Sequence, residues 1–246
     1  MAAMERSVQA ICLLLLTFAA PGWAQAPVQA HLESKQSEWV LGVPVEFTAS
    51  VINVSSAPVE TYSAPSPLWG GIFFVISEDG STFHAFNGPE WDLAQRVDIV
   101  PGRTNLRPGE KVQASFSLLW NGSANTKRQA RAEGFAFPHV GTYFVKVTAA
   151  SPFGDLMSNV VRVMILQPQG DDAAIFGALK ADRQLARSYG FPGGAATQGE
   201  KLQQLLKRYP NSSYTASLKK ALAVYARQRA ENEEEEKTRN TSQPRR

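Results

Sequence analysis

The feature that most constrains this chain is a turn and three period-two runs lying in fixed order between residues 107 and 166. Arg107-Pro108-Gly109-Glu110 reads as a turn, with Pro108 and Gly109 as its punctuation. Lys111 to Trp120 follows, with Val112, Ala114, Phe116 and Leu118 sharing one face. His139–Thr148 and Ser158–Leu166 alternate in the same way. Alternation of this length belongs to half-buried antiparallel strands and suits no helix.

The upstream half fits the same scheme. Residues 28–35 alternate weakly and can form a first edge strand. Val43, Val45, Phe47, Ala49 and Val51 share a face, opposed by Glu46, Thr48 and Ser50. Gly71 to Ile76 is a continuous apolar run, and residues 82–86 follow it after Asp79-Gly80, which supplies hairpin chemistry. Residues 53–67, rich in Ser and Pro, read as a loop, as does the polar stretch 121–133. Residues 87–106 are irregular, with room for a short strand at 96–100. Seven or eight short strands separated by turn signals predict a mainly β chain, an antiparallel β-sandwich over 27–167.

At Gln167-Pro-Gln-Gly170 the period changes from two to 3.6. Asp171 or Asp172 can cap a helix carrying Ile175, Leu179, Leu185 and Tyr189. Thr197-Gln-Gly-Glu200 has the form of a capping box for a second helix, which Pro210 stops. Ser212 or Ser213 can cap a third, with Tyr214, Leu218, Ala221, Leu222 and Tyr225 on one stripe. Three helices are therefore expected over 170–230. Residues 231–246 are charged, lack apolar side chains and are expected to be disordered.

The first 24 residues predict export. Arg6 precedes an apolar run from Ala10 to Ala20, and Pro21-Gly22 ends it. The run, of about 11 residues, is too short to span a bilayer core of roughly 30 Å. Gly22 and Ala24 offer small residues for cleavage after Ala24, giving a periplasmic or secreted protein without a stable membrane anchor. The single cysteine, Cys12, lies in that run, so the exported chain has no disulfide or thiol chemistry. Net charge is +3 and the basic residues are scattered, which argues against nucleic acid as a partner.

Two resemblances follow from quoted residues. Gly141-Thr142-Tyr143-Phe-Val-Lys-Val147 resembles the penultimate strand of immunoglobulin-like domains, with Tyr143 at the place of the family's corner tyrosine. The Pro-Gly-Glu turn at 108–110 adds likeness to such domains of exported bacterial proteins. The family's cysteine pair is missing, and Val145 stands where antibody-type domains have the second. Lys201 to Tyr214, with Ala221 to Tyr225, resembles the helix–turn–helix junction of tetratricopeptide repeats, with Tyr209-Pro210 ending one helix. That resemblance implies protein–protein contact, with Tyr209, Tyr214 and Tyr225 as candidate partner-binding residues. At one and a half repeats it falls short of the roughly three a solenoid needs, so the helices are expected to pack as a short bundle.

No catalytic constellation stands out. His31, His84 and His139 lie far apart, and no His pair has helical zinc spacing. No nucleophile elbow, phosphate loop or dinucleotide fingerprint occurs. No cofactor or metal is called for. Trp69, Trp91 and Trp120 sit near strand ends and either offer stacking surfaces or plug the open ends of the core. Glu90 and Asp92 flank Trp91 and could supply carboxylate chemistry.

The expectation is thus a non-enzymatic exported binding or adaptor protein acting on a protein or peptide partner. One alternative is a proteinase inhibitor using the proline-rich 53–67 loop. Another is a carbohydrate-binding or hydrolytic domain using the loop tryptophans.

Overall fold

The computed structural model describes residues 26–66, 71–86, 88, 102–122, 133–190 and 198–242. The chain is mainly β, with several sheets and a smaller helical part. Strands run β1 (Val28–Ser34), β2 (Glu38–Val40), β3 (Val45–Asn53), β4 (Val59–Tyr62), β5 (Ile72–Ser77) and β6 (His84–Ala85). After these come β7 (Arg103–Leu106), β8 (Lys111–Leu118), β9 (Trp120–Asn121), β10 (Gly134–Phe135), β11 (Gly141–Ser151), β12 (Gly154–Met157) and β13 (Val161–Leu166).

One sheet has the order β1-β3-β8 and a larger one the order β2-β13-β11-β5-β6, with β12 paired to β11. Among the described residues all pairs are antiparallel except β2, which runs parallel to β13. Inward-facing residues of both sheets form one hydrophobic cluster: Leu32, Val45, Phe47 and Leu118 from the first meet Phe74, Ile76, Val145 and Val163 from the second. The alternation visible in the sequence is what sorts these residues inward.

Two turns anchor the frame. Gly109 adopts φ +79, and Arg107 donates its backbone N–H to Glu110 Oε2 at 2.7 Å. Asn53, fully buried, donates through Nδ2 to the carbonyls of Ala57 and Leu106, while its Oδ1 accepts from the N–H and hydroxyl of Ser55. Its amide is thereby saturated, as burial of such a group requires. Tyr143, 1% exposed, donates its hydroxyl to the carbonyl of His139 and accepts from the His139 N–H, both at 3.0 Å. Gly141, at φ +141, opens β11 in a conformation that suits glycine.

The stretch 53–67 differs from the expected free loop. Asn53 closes β3, and β4 pairs with β7 from Val59↔Leu106 to Tyr62↔Arg103. That pairing is non-local, so no local pattern announces it.

The described residues hold four helices, where three were expected: α1 (Gly170–Ala181), α2 (Arg183–Gly190), α3 (Gly199–Arg208) and α4 (Thr215–Ser242). The break between the first two lies at Asp182, whose Oδ1 accepts from the N–H groups of Gln184 and Leu185 at 3.0 Å and caps α2. Asp172 does not cap its own helix. Its carboxylate accepts from the Ser212 hydroxyl and the Ser213 N–H, tying α1 to the start of α4. Gln198 precedes α3 without a side-chain capping bond, and Thr197 lies outside the described residues.

The tail also departs from expectation, because α4 continues to Ser242. Arg227–Glu231 at 3.2 Å and Arg229–Glu233 at 2.9 Å are i,i+4 pairs on this extension. Such pairs add tenths of a kcal/mol each to a segment already rich in good helix formers.

Candidate functional site

Of the residues singled out in the sequence, Trp69, Trp91, Glu90 and Asp92 lie outside the described residues. Trp120 is described, and it is no exposed platform. It is 4% exposed, stacks edge-on against Phe135 at 5.3 Å, and belongs to the cluster that holds the helices. A Cβ added to Gly190 of α2 would lie 2.8 Å from it, so α2 needs glycine there. Its Nε1 is buried without an acceptor among the described residues.

The candidate tyrosines of the helical segment also turn inward. Tyr214 is fully buried and donates its hydroxyl to the Leu41 carbonyl. Tyr189 of α2 donates to the neighbouring Gly42 carbonyl at 3.1 Å. Burial pushes both phenols above their ordinary range. Gly42 itself, at φ +82, lies against Phe176 and Tyr214. Tyr209 packs half-buried on the helical cluster, and Tyr225 lies against Gly199. These contacts dock the helices onto the β2–β3 corner of the β unit and leave Tyr214 unable to meet a partner.

An open cleft of about 690 Å³ lies between the β5–β6 hairpin and β10. Asp79, Thr82 and His84 line one side, and Glu133, Phe135 and Pro138 the other. The carboxylates are engaged in holding the walls. The N–H of Thr82, the hydroxyl of Ser77 and the N–H of Ser81 donate to Asp79 and hold it well below the usual carboxylate range. Glu133 bridges Arg183 at 3.1 Å and Arg187 at 3.4 Å, fixing the cleft to α2. A carboxylate kept ionised by three donors is a poor proton carrier near neutral pH. Among the described residues no three His, Cys, Asp or Glu side chains gather as metal ligands.

The two sheets differ in their outward faces. On β1-β3-β8 that face is polar apart from Ile52: His31 sits beside Ser50 and Gln113, Glu33 beside Thr48 and Ser115, and Glu46 beside Ser117. On the larger sheet the outward rows mix apolar side chains with hydroxyl and basic ones. Phe73 lies opposite Thr148, which in turn lies opposite Met157, and Val75 lies opposite Lys146. Phe144 lies opposite Arg162, and Thr142 opposite Met164. Met157 is 64% exposed, and Phe73, Val75, Phe144 and Met164 are half-buried, yet none of the five joins any hydrophobic cluster of the described core. Gly80 of the β5–β6 turn lies against the Phe144 ring and Phe73 has a contact of its own, so of the five only Met157 stands exposed. Sequence reading passed over this packing, although the unbroken run Ile72–Ile76 carried the signal. A strand with one face in water alternates, and this one does not.

No family model and no curated protein matches the sequence. Among solved structures the chain is similar to the alkylpurine DNA glycosylase AlkC of Pseudomonas fluorescens bound to DNA, at 13% identity and a TM-score of 0.29, over 58% of this chain and 31% of that one. It is similar to the sporulation control protein Spo0M of Bacillus subtilis at 12% identity and a TM-score of 0.31, covering 63% and 55% of the two chains. A CARDB domain from Pyrococcus furiosus, in complex with di-metal ions, matches at 10% identity and 0.28, covering 56% and 87%. The chain thus spans about a third of the glycosylase, and none of these likenesses bears on its activity. No described helix is long and apolar enough to cross a membrane.

Proposed function

We propose that this is an exported, non-enzymatic binding protein: an immunoglobulin-like β-sandwich buttressed by a tetratricopeptide-like helical segment and acting through protein–protein contact. The observation that carries the reading is on the outward face of the larger sheet, where Met157 is 64% exposed beside Thr148 and outside every hydrophobic cluster of the described residues. The parallel β2–β13 edge and the Tyr143 hydroxyl bonded back to His139 support the immunoglobulin-like class. Tyr209-Pro210 between α3 and α4 supports the tetratricopeptide-like one. In this reading the helices hold the β unit and the sheet meets the partner, because the helical tyrosines are used internally.

The test is site-specific photocrosslinking in the exported fraction. A crosslinker at Met157 should give discrete protein adducts, while one at His31 on the polar sheet should give none. Adducts absent at Met157, or equal at both positions, would remove the reading.

A further inference from the structure

A sheet edge presents backbone N–H and C=O groups that a further strand can pair with, and folded chains blunt their edges. The two main sheets end on β1, β8, β2 and β6. β2 and β6 hold only 3 and 2 residues. On β1 the Asn159 side chain stands in for a strand: its Oδ1 accepts from the Leu32 N–H at 2.9 Å, and its Nδ2 donates to the Leu32 carbonyl at 3.0 Å. β8 has no such cover among the described residues. It pairs with β3 without a bulge from Val45↔Leu118 to Ile52↔Lys111, holds no proline, and carries one charge, Lys111, at its start.

The pairing determines which of its groups are free. The Lys35 N–H bonds to the Glu46 carbonyl and the Val54 N–H to that of Pro27, so the even-numbered residues of β3 bond to β1. The Asn53 N–H bonds to the Glu110 carbonyl, so the odd-numbered ones bond to β8, through Val112, Ala114, Phe116 and Leu118. The N–H and C=O groups of Lys111, Gln113, Ser115 and Ser117 therefore point away from the sheet, and among the described residues none has a partner. Their side chains are exposed, while Val112, Ala114 and Phe116 are only half-buried.

This row is complementary to itself, as a twofold contact requires. In an antiparallel pairing with Gln113 opposite the second copy's Ser115, Lys111 falls opposite its Ser117, and each free N–H and C=O of the row gains a partner. The same register sets Val112 opposite the second copy's Phe116 and Ala114 opposite its own copy, so the half-buried side chains cover one another. No charge meets its like across the strands. Lys111 arrives beside Ser117, whose β3 neighbour is Glu46, at an open groove of about 560 Å³. Glu33 and Glu46 there balance Lys35 and Lys220.

We infer that a second copy of this chain pairs antiparallel along β8, joining the two three-stranded sheets into one continuous sheet. The contact is separate from Met157 and does not depend on the binding reading above.

The chain purified from the exported fraction is sedimented over about a hundredfold range of concentration, since mass action raises the dimer fraction. A dimer should form. Q113K/S115K sets lysine against lysine in this register and should weaken it by about tenfold or more. Q113K/S115E sets lysine against glutamate and should keep the dimer, as should M157K on the other sheet. S115P removes an N–H that the lone chain does not use, so it should abolish the dimer and leave the fold intact. A monomer throughout, a dimer indifferent to Q113K/S115K, equal loss in Q113K/S115E, or loss in M157K would overturn the inference. A chain that stays monomeric while S115P abolishes a photoadduct at Gln113 would assign the edge to another protein's strand, and would overturn it too. If S115P fails to fold, the two charge variants decide.

Discussion

Substituting Gly42 with alanine separates two costs that the junction between β unit and helices imposes. The first is conformational: φ is +82, and an L side chain in that region costs about 1–2 kcal/mol. The second is steric. The added Cβ would lie 2.8 Å from Phe176 Cδ2 and 2.9 Å from Tyr214 Oη. Tyr214 cannot simply swing away, because it is fully buried and its hydroxyl is bonded to the Leu41 carbonyl. Relieving the overlap costs about 1–3 kcal/mol of overpacking and about 1 kcal/mol for the disturbed hydrogen bond. Gly109 supplies the control, since its φ is +79 and nothing lies within 4 Å of its added Cβ. G109A therefore carries only the conformational cost, and the unfolded-state gain of replacing glycine cancels between the two.

G42A should lie about 2–4 kcal/mol below G109A in urea denaturation, followed in parallel by far-UV circular dichroism and tryptophan fluorescence. Because Trp120 and the helices share one cluster, the two probes should also move together. If G42A is no more damaging than G109A, the helices are not seated on this corner and the buttress is wrong.

Y143F removes both bonds to His139 and should cost about 1–3 kcal/mol, read as a lowered urea midpoint. N53A leaves the Leu106 carbonyl without its side-chain donor and should cost about 1–3 kcal/mol in the same assay, together with loss of order in the 107–110 turn. D182A removes the cap of α2 and should cost about 1 kcal/mol at neutral pH. The Lys201 ammonium, foremost, and the Leu185 N–H hold the Asp182 carboxyl below its ordinary value of 3.8, so its folded value lies under its unfolded one. That contribution is fully present above the ordinary value and fades as pH falls through the depressed one, so the gap between parent and D182A should narrow in acid. A gap that widens in acid would refute the assignment.

What could be read from the chain follows the range of the forces involved. Alternation in β3, β8, β11 and β13 is local, because each strand's inward set is fixed by its own pleat, and these strands stand where the pattern put them. The Asp79-Gly80 hairpin was legible for the same reason, and Gly80 does take φ +75. The break at Asp182 had a local signal, an N-cap residue inside a periodic run, which the stronger periodicity masked. The β4–β7 pair and the burial of Trp120 had none, since both depend on segments distant in sequence. A tryptophan at a strand end looks the same whether solvent or a helix lies over it, and here the residue opposite is Gly190, 70 positions on.

The same distinction is the reason the contact surface is proposed on the β unit and not on the helices. A helical pair offers its groove only if the tyrosines and leucines of its apolar stripe have no other use. Here Tyr189 and Tyr214 reach the Leu41 and Gly42 carbonyls, and Leu179, Leu202 and Leu218 close the cluster around Trp120. That leaves the helices short of apolar area and fixes the β2–β3 corner. In contrast, Met157 stands exposed outside every described cluster while its strand neighbour Leu156 is packed. Fully burying an exposed apolar side chain is worth about 1.5–3 kcal/mol, and Met157, 64% exposed, has most of that still to gain. The helices have spent theirs in holding the chain together.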